Sequence, residues 1–251
     1  MGDLYTLLLH VLSGDATAQK QAEISLKQAE MANFPLYIQS LVDELANEMR
    51  NENTRGLAGL ILKNCLDARD SERQQMLAQQ WRHLNIEFRV AVKAKALQTL
   101  GSPALNPRRQ AAQVISKIAL IELPQNEWPE LIGLIVRNVT TAHIPAELRQ
   151  ASLETLGYIC EDIDADTLKA EANLILTALI HGMRAHEPSA IVRQTATRAL
   201  INALEFVGDN FATKVERDVI MTVVCECINA EDPLLRSNAL ECVATIASLY
   251  Y

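Results

Sequence analysis

Hydrophobic positions in this chain recur every three or four residues, and strict alternation is sustained over no long stretch. Val192, Ala196, Ala199, Leu200, Ala203, Leu204 and Val207 form one such stripe. That spacing lies on one side of an α-helix and predicts an amphipathic helix over 190–206. The same periodicity predicts six helix pairs: 3–12 with 16–31, 34–49 with 53–66, 85–100 with 107–121, 129–140 with 147–163, 168–185 with 190–206, and 212–229 with 233–250. A long connection before the third pair holds a short helix near 71–79. Trp81 follows it and is expected to pack that connection. Punctuation agrees with this division. Asp232 before Pro233 reads as an N-cap with proline at the first helical position. Pro129 after Trp128 opens a segment, and Gly208, Asp209 and Asn210 read as a break.

A second pattern overlies the first. An arginine, a small residue three places on and an aliphatic residue seven places on occur at Arg108-Ala111-Ile115, Arg149-Ser152-Leu156, Arg193-Ala196-Leu200 and Arg236-Ala239-Val243. Arg55-Ala58-Leu62 is an earlier copy. A repeat of some 40–47 residues marks paired helices of the HEAT or armadillo type. The expected fold is therefore all-α, a right-handed α-α superhelix (solenoid) of HEAT repeats over 1–251. Its repeats are 1–31, 32–66, 67–121, 122–163, 164–206 and 207–251. Arg108, Arg149, Arg193 and Arg236 sit beside the apolar stripe, where a long aliphatic stem covers core and a guanidinium stays wet. The preferred role is structural, linking successive repeats; direct ligand contact is the alternative.

Composition narrows the function. Of 251 residues 49% are hydrophobic but only 4% aromatic, so Leu, Ile, Ala and Val fill the core, as suits close-packed helices. The formal net charge is −8. Free nucleic acid is then a poor partner, since phosphate binding needs a basic stripe, while a basic protein surface fits better. An ordinary soluble surface accounts for the charge equally well. Cys65, Cys160, Cys225, Cys227 and Cys242 read as reduced, mostly buried thiols. No apolar run is long enough for a membrane span, and the start lacks a secretory signal. Gly2 with Thr6 fits the loose N-myristoylation pattern, although Leu4, Leu7, Leu8 and Val11 read as one face of a first helix. The last helix ends on apolar Ile246, Leu249, Tyr250 and Tyr251. This is not the polar cap of a terminal repeat, so a longer array is expected.

Catalytic and metal chemistry find no framework. His181 and His186 are close in sequence, but an offset of five places them poorly on one helical face. Cys225 and Cys227 lack a matching second pair. Glu161, Asp162, Asp164 and Asp166 lack the glycine and terminal glutamate of an EF-hand loop; they read as a solvated bend or a patch for a basic partner. No phosphate loop or nucleophile elbow is present. Neither cofactor nor metal is expected, and the chain reads as a binding scaffold, not an enzyme. Two helices carry more apolar surface than one stripe requires: Leu174, Ile175, Leu176, Leu179, Ile180 and Met183 in one, Val215, Val219, Ile220, Val223 and Val224 in the other. They are either buried on two sides or line a shallow groove for an apolar or aromatic anchor.

Longer strings carry a resemblance. Residues 22–100 contain Leu26-Lys27-Gln28-Ala29, Arg55-Gly56-Leu57-Ala58-Gly59-Leu60, Leu62-Lys63-Asn64, Trp81 and Arg89-Val90-Ala91-Val92-Lys93. Further on stand Ile121-Glu122-Leu123-Pro124, Trp128-Pro129-Glu130-Leu131-Ile132, Leu156-Gly157-Tyr158-Ile159-Cys160-Glu161-Asp162 and Ala203-Leu204-Glu205-Phe206. The chain resembles the importin-β (karyopherin-β) family of nuclear transport receptors, with its amino-terminal domain at 22–100, over nearly its whole length. The resemblance implies Ran-GTP as one partner, on the second helices around 16–31, 53–66, 107–121 and 147–163, with Arg55, Lys63 and Asn64 as candidate contacts. It implies phenylalanine-glycine (FG) repeats of nucleoporins as another, in a groove of Leu176, Thr177, Ile180, Glu216, Val219 and Ile220. That groove coincides with the apolar excess. Val219 stands where the family carries a phenylalanine, which would loosen the grip on an inserted ring or widen the groove. Cargo and the adaptor importin-α are expected to bind the longer family members only. The implied location is cytoplasm and nucleus, and the nuclear envelope at pore complexes. A generic HEAT scaffold that positions other proteins is the alternative.

Overall fold

The structure, a computed structural model, describes residues 3–251; Gly2, and with it the acylation pattern, lies outside the described residues. Among the described residues there is no strand, and the fold is all-α, assembled from HEAT-type helix pairs. The chain divides into two compact units, one ending at Ile118 and one running from Ala119 to Tyr251.

The first unit contains α1 (Leu4–Val11), α2 (Ala16–Ala32), α3 (Phe34–Ala46), α4 (Glu52–Asn64), α5 (Ser71–Arg82), α6 (Ile86–Thr99) and the larger part of α7 (Leu105–Glu122). From α1 to α6 each helix is entered through an Asp or Asn whose side chain accepts a backbone N–H of the first turn: Asp3, Asp15, Asn33, Asn51, Asp70 and Asn85. Such caps satisfy donors that have no partner inside the helix. Leu41, Leu45, Leu62, Leu66, Trp81, Val92 and Leu100 are wholly buried. Each such aliphatic side chain contributes about 1.5–3 kcal/mol on leaving water. Two glycines let α4 meet α7 closely. A Cβ on Gly59 would come within 2.5 Å of Gln110 Cβ, and one on Gly56 within 2.3 Å of Asn106 Nδ2.

The second unit stacks three pairs: α8 (Leu131–Thr140) with α9 (Ala146–Asp162), α11 (Ala172–Met183) with α12 (Ala190–Ala203), and α14 (Lys214–Ile228) with α15 (Pro233–Tyr250). The first helices α8, α11 and α14 touch in series, and so do the second helices α9, α12 and α15. Small residues set the spacing: a Cβ on Gly182 would meet Ala196 Cβ at 2.9 Å and Leu153 Cδ1 at 3.0 Å. Two shorter helices, α10 (Ala165–Leu168) and α13 (Gly208–Ala212), lie before α11 and α14.

The helices expected to end at 49 and 206 stop at Ala46 and Ala203, and three further expectations need correction. The connection helix runs three residues further, to Arg82, because Trp81 is wholly buried and helical backbone carries it inward. The helix expected over 168–185 begins at Ala172, after α10 and a 3-10 turn at Lys169–Glu171. The expected break at 208–210 is helical. Val207 C=O accepts from the N–H groups of both Asn210 and Phe211, and Phe211 stacks on Tyr250 at 4.3 Å with the rings 7° from parallel. Burial of that aromatic pair outweighs the local preference of Gly-Asp-Asn for a turn.

The arginines share one habit. Each reaches back to carbonyls at the end of its own pair's first helix or the turn beyond: Arg55 to Leu45, Arg108 to Ser102 and Pro103, Arg149 to Ile144, Arg193 to Met183, and Arg236 to Ala230 and Glu231. These carbonyls lack partners within their helix or turn, and a cation suits them. Three also reach towards the following pair: Arg55 to Ser102 Oγ, Arg149 to Glu187, and Arg193 to Cys227 Sγ at a long 3.9 Å.

Candidate partner-binding groove

Helices α11 and α14 enclose an open groove of about 440 Å³. Leu176, Thr177, Ile180, Glu216, Val219 and Ile220 all line it. Helical phase explains how. On α11, Ile175 and Leu179 turn fully inward, while Leu176 and Ile180 stand one position round and keep 6% and 8% exposure. On α14, Val223 and Val224 are buried, Ile220 is 2% exposed, and Val219 and Val215 rise to 40% and 72%. The apolar excess is thus divided between the core and a floor of Leu176, Ile180 and Ile220 under a valine rim.

Polar groups share the lining of the groove. Asn173, His181, Arg184 and Asn210 also line it, and none was expected there from sequence. Asn210, on α13, is buried, and its amide nitrogen donates to Asn173 Oδ1 at 2.7 Å and to Glu216 Oε2 at 2.6 Å. Its position inside the apparent break hid it. His181 and His186, expected to be badly placed for one another, meet edge to face with ring centroids 5.4 Å apart. His186 lies beyond the end of α11, so the helical offset does not govern it. Burial chiefly, and then the charge of His186, hold the His181 imidazole below the usual histidine range, against an opposing pull from Glu187.

The residues expected to meet a second partner are not gathered at one point. Arg55 lies in the first turn of α4 and is 2% exposed; its guanidinium bonds Leu45 C=O, both carboxylate oxygens of Glu48 at 2.9 Å, and Ser102 Oγ. Lys63 and Asn64 stand in the last turn, two helical turns away. Lys63 pairs with Asp67 at 3.6 Å, and Lys117 approaches the same carboxylate at 3.3 Å. Asn64 is exposed.

Comparison with known proteins gives the frame for these surfaces. The model of the importin-beta N-terminal domain matches residues 22–102. Importin subunit beta-1 of Arabidopsis thaliana is 45% identical over 246 residues, which is 98% of this chain and 28% of that protein. Two solved structures of a relative superpose closely. One is the Kap95:Nup1 complex, with TM-score 0.91 and 36% identity over 99% of this chain and 29% of that one. The other shows that Kap95p binding induces the switch loops of RanGDP to adopt the GTP-bound conformation, with TM-score 0.94 at the same identity and coverage. The chain spans less than a third of the length of these relatives. Sequence strings, repeat architecture and backbone agree, and on them the chain belongs to the importin-β family and carries its amino-terminal domain.

Proposed function

We propose that this chain serves nuclear protein transport as a binding segment, holding FG repeats of nucleoporins in the α11–α14 groove and Ran in its GTP form on the first unit. The observation that carries the reading is the floor of Leu176, Ile180 and Ile220, sunk between two helices and open to solvent under Val215 and Val219. A phenylalanine anchor fits a slot of that kind: it leaves water on a large apolar area, while its flanking glycines let the peptide backbone come close. The Nup1 complex of the relative Kap95 supports a nucleoporin as occupant, and its Ran complex supports the second partner.

On the first unit, Lys63 and Asn64 are the proposed Ran contacts. Arg55 acts there as the tie that holds α4 to the end of α3 and to Ser102, since four of its five N–H donors bond inside the unit. Cargo and importin-α belong to the longer receptors. The proposed setting is the cytoplasm, the nucleus and the pores between them.

Two measurements test this. Binding of a synthetic peptide with two FG repeats should be lost in Ile180→Asp, because a carboxylate on the floor cannot be solvated under the bound ring. Capture of Ran should be strong when it carries GTP and weak when it carries GDP. Unchanged peptide affinity removes the groove from the account, and equal capture of both nucleotide forms removes Ran.

A further inference from the structure

Part of the groove's polar lining has a fixed polarity, and Asn210 sets it. A carboxylate can only accept hydrogen bonds. Asn210 must therefore turn its amide nitrogen to Glu216, and the same nitrogen donates to Asn173. Asn173 spends its carbonyl oxygen in that bond, so its own amide nitrogen is the group left to face outward. Glu216 spends Oε2, and Oε1 is left. Neither Asn173 Nδ2 nor Glu216 Oε1 has a partner among the described residues, and both residues line the groove beside the apolar floor. The groove's lining thus offers a donor and an acceptor joined through Asn210, a side chain that is itself only 7% exposed.

A main-chain peptide unit carries the complementary pair, one N–H and one C=O. Both need partners when a neighbouring apolar anchor is drawn out of water. An anionic ligand would meet Glu216 unfavourably, and Asn173 carries no charge for it. We propose that Asn173 and Glu216 form a main-chain clamp for an extended peptide, with Glu216 Oε1 accepting a peptide N–H and Asn173 Nδ2 donating to a peptide C=O. Asn210 is the positioning residue that holds both in register. The clamp rests on the reading of the groove as an FG-repeat site. It adds that the groove reads backbone beside the ring, and that it does so with one polarity.

The test uses the full 251-residue chain and a synthetic peptide with two FG repeats. Single amide-to-ester replacements are placed in turn at the anchor phenylalanine and at the residues on either side. An ester removes one N–H and keeps the shape. One ester position is expected to weaken binding about tenfold, the effect of a hydrogen bond to a charged acceptor. Glu216→Gln, at an exposed position, turns the acceptor into a donor once Asn210 claims its carbonyl. It should bind the all-amide peptide about tenfold more weakly and no longer distinguish it from that ester. Asn210→Asp should do the same, because it sets a carboxylate against two acceptors. A role in folding alone would not abolish ester sensitivity. Equal binding of every ester peptide to the unaltered protein, with Ile180→Asp still blocking binding, overturns the clamp and leaves the groove standing. Ester sensitivity that persists in both Glu216→Gln and Asn210→Asp also overturns it. Peptide binding that survives Ile180→Asp overturns clamp and groove together.

Discussion

Arg149 and Glu187 form a two-pronged ion pair across two repeats: Nε meets Oε2 at 3.0 Å and Nη2 meets Oε1 at 2.7 Å. The glutamate is nearly buried, and its Oε1 also accepts the backbone N–H of Ser189 just before α12. The arginine bonds Ile144 C=O as well. One side chain thus joins the turn before α9 to the turn before α12.

Removing the cation should be costly. Arg149→Ala leaves the Glu187 carboxylate buried without its counter-charge, and a loss of about 3–5 kcal/mol is expected. Arg149→Lys should recover only part of it, because an ammonium cannot match the fork. Urea unfolding followed by circular dichroism measures both. A midpoint for Arg149→Ala no lower than that of the surface control Lys214→Ala would refute the assignment.

Gly182 lies where α11 presses on α9 and α12. Gly182→Val would drive a branched side chain into Ala196 and Leu153, which stand 2.9 and 3.0 Å from the first added carbon. Overpacking of this kind costs about 1–3 kcal/mol. The thermal midpoint should fall, and binding at the adjoining groove should weaken with it; an unshifted midpoint contradicts the packing described.

Val219 forms part of the groove's rim and is 40% exposed. Val219→Phe adds apolar area beside an inserted ring. Affinity for an FG peptide should rise by about three- to tenfold, as expected for a few tens of Å² more buried surface. A fall in affinity, read by titration calorimetry, would mean that valine leaves room the bound peptide needs.

His181 gives the second unit a mild pH dependence. Its folded-state pKa is lowered, by burial first and then by the charge of His186. As pH falls below the ordinary histidine value, near 6.5, the unfolded chain takes up a proton before the folded one. The stability present above that value is therefore lost progressively on acidification. Denaturant midpoints should fall between pH 7.5 and pH 5.5, and His181→Gln should flatten that part of the profile. An identical slope in the variant would assign the effect elsewhere.

The cysteines should separate by reactivity. Burial pushes the Cys65 and Cys242 thiols up to about 12 and raises Cys160 as well, so almost no thiolate forms on them near neutral pH. Cys225 is exposed on α14. Iodoacetamide applied to the folded protein should mark Cys225 first, as read by peptide mass spectrometry. Early labelling of Cys160 would contradict its place in the core.

Periodicity carried most of the fold. The stripe from Val192 to Val207 and the cap at Asp232 each act within one helix or one turn, so their spacing in the chain is their spacing in space; the spaced arginines marked the repeat, although their bonds reach into neighbouring turns and repeats. The six expected groove residues were readable because a resemblance joined two helices that local pattern treats separately. What escaped was set by partners distant in sequence. Gly208-Asp209-Asn210 carries every local mark of a break, yet Phe211 finds Tyr250 and the segment coils. Arg55 and Lys63 share a helix and a charge, but Ser102 and Glu48 enclose the first and leave the second near the surface. The sequence by itself determined the principal helices and which of their faces are apolar, since those depend on a 3.6-residue period. Only the tertiary structure decided which polar groups spend their hydrogen bonds inside and which keep one free, because that depends on atoms brought together from some 40 residues away, as with Asn173 and Asn210.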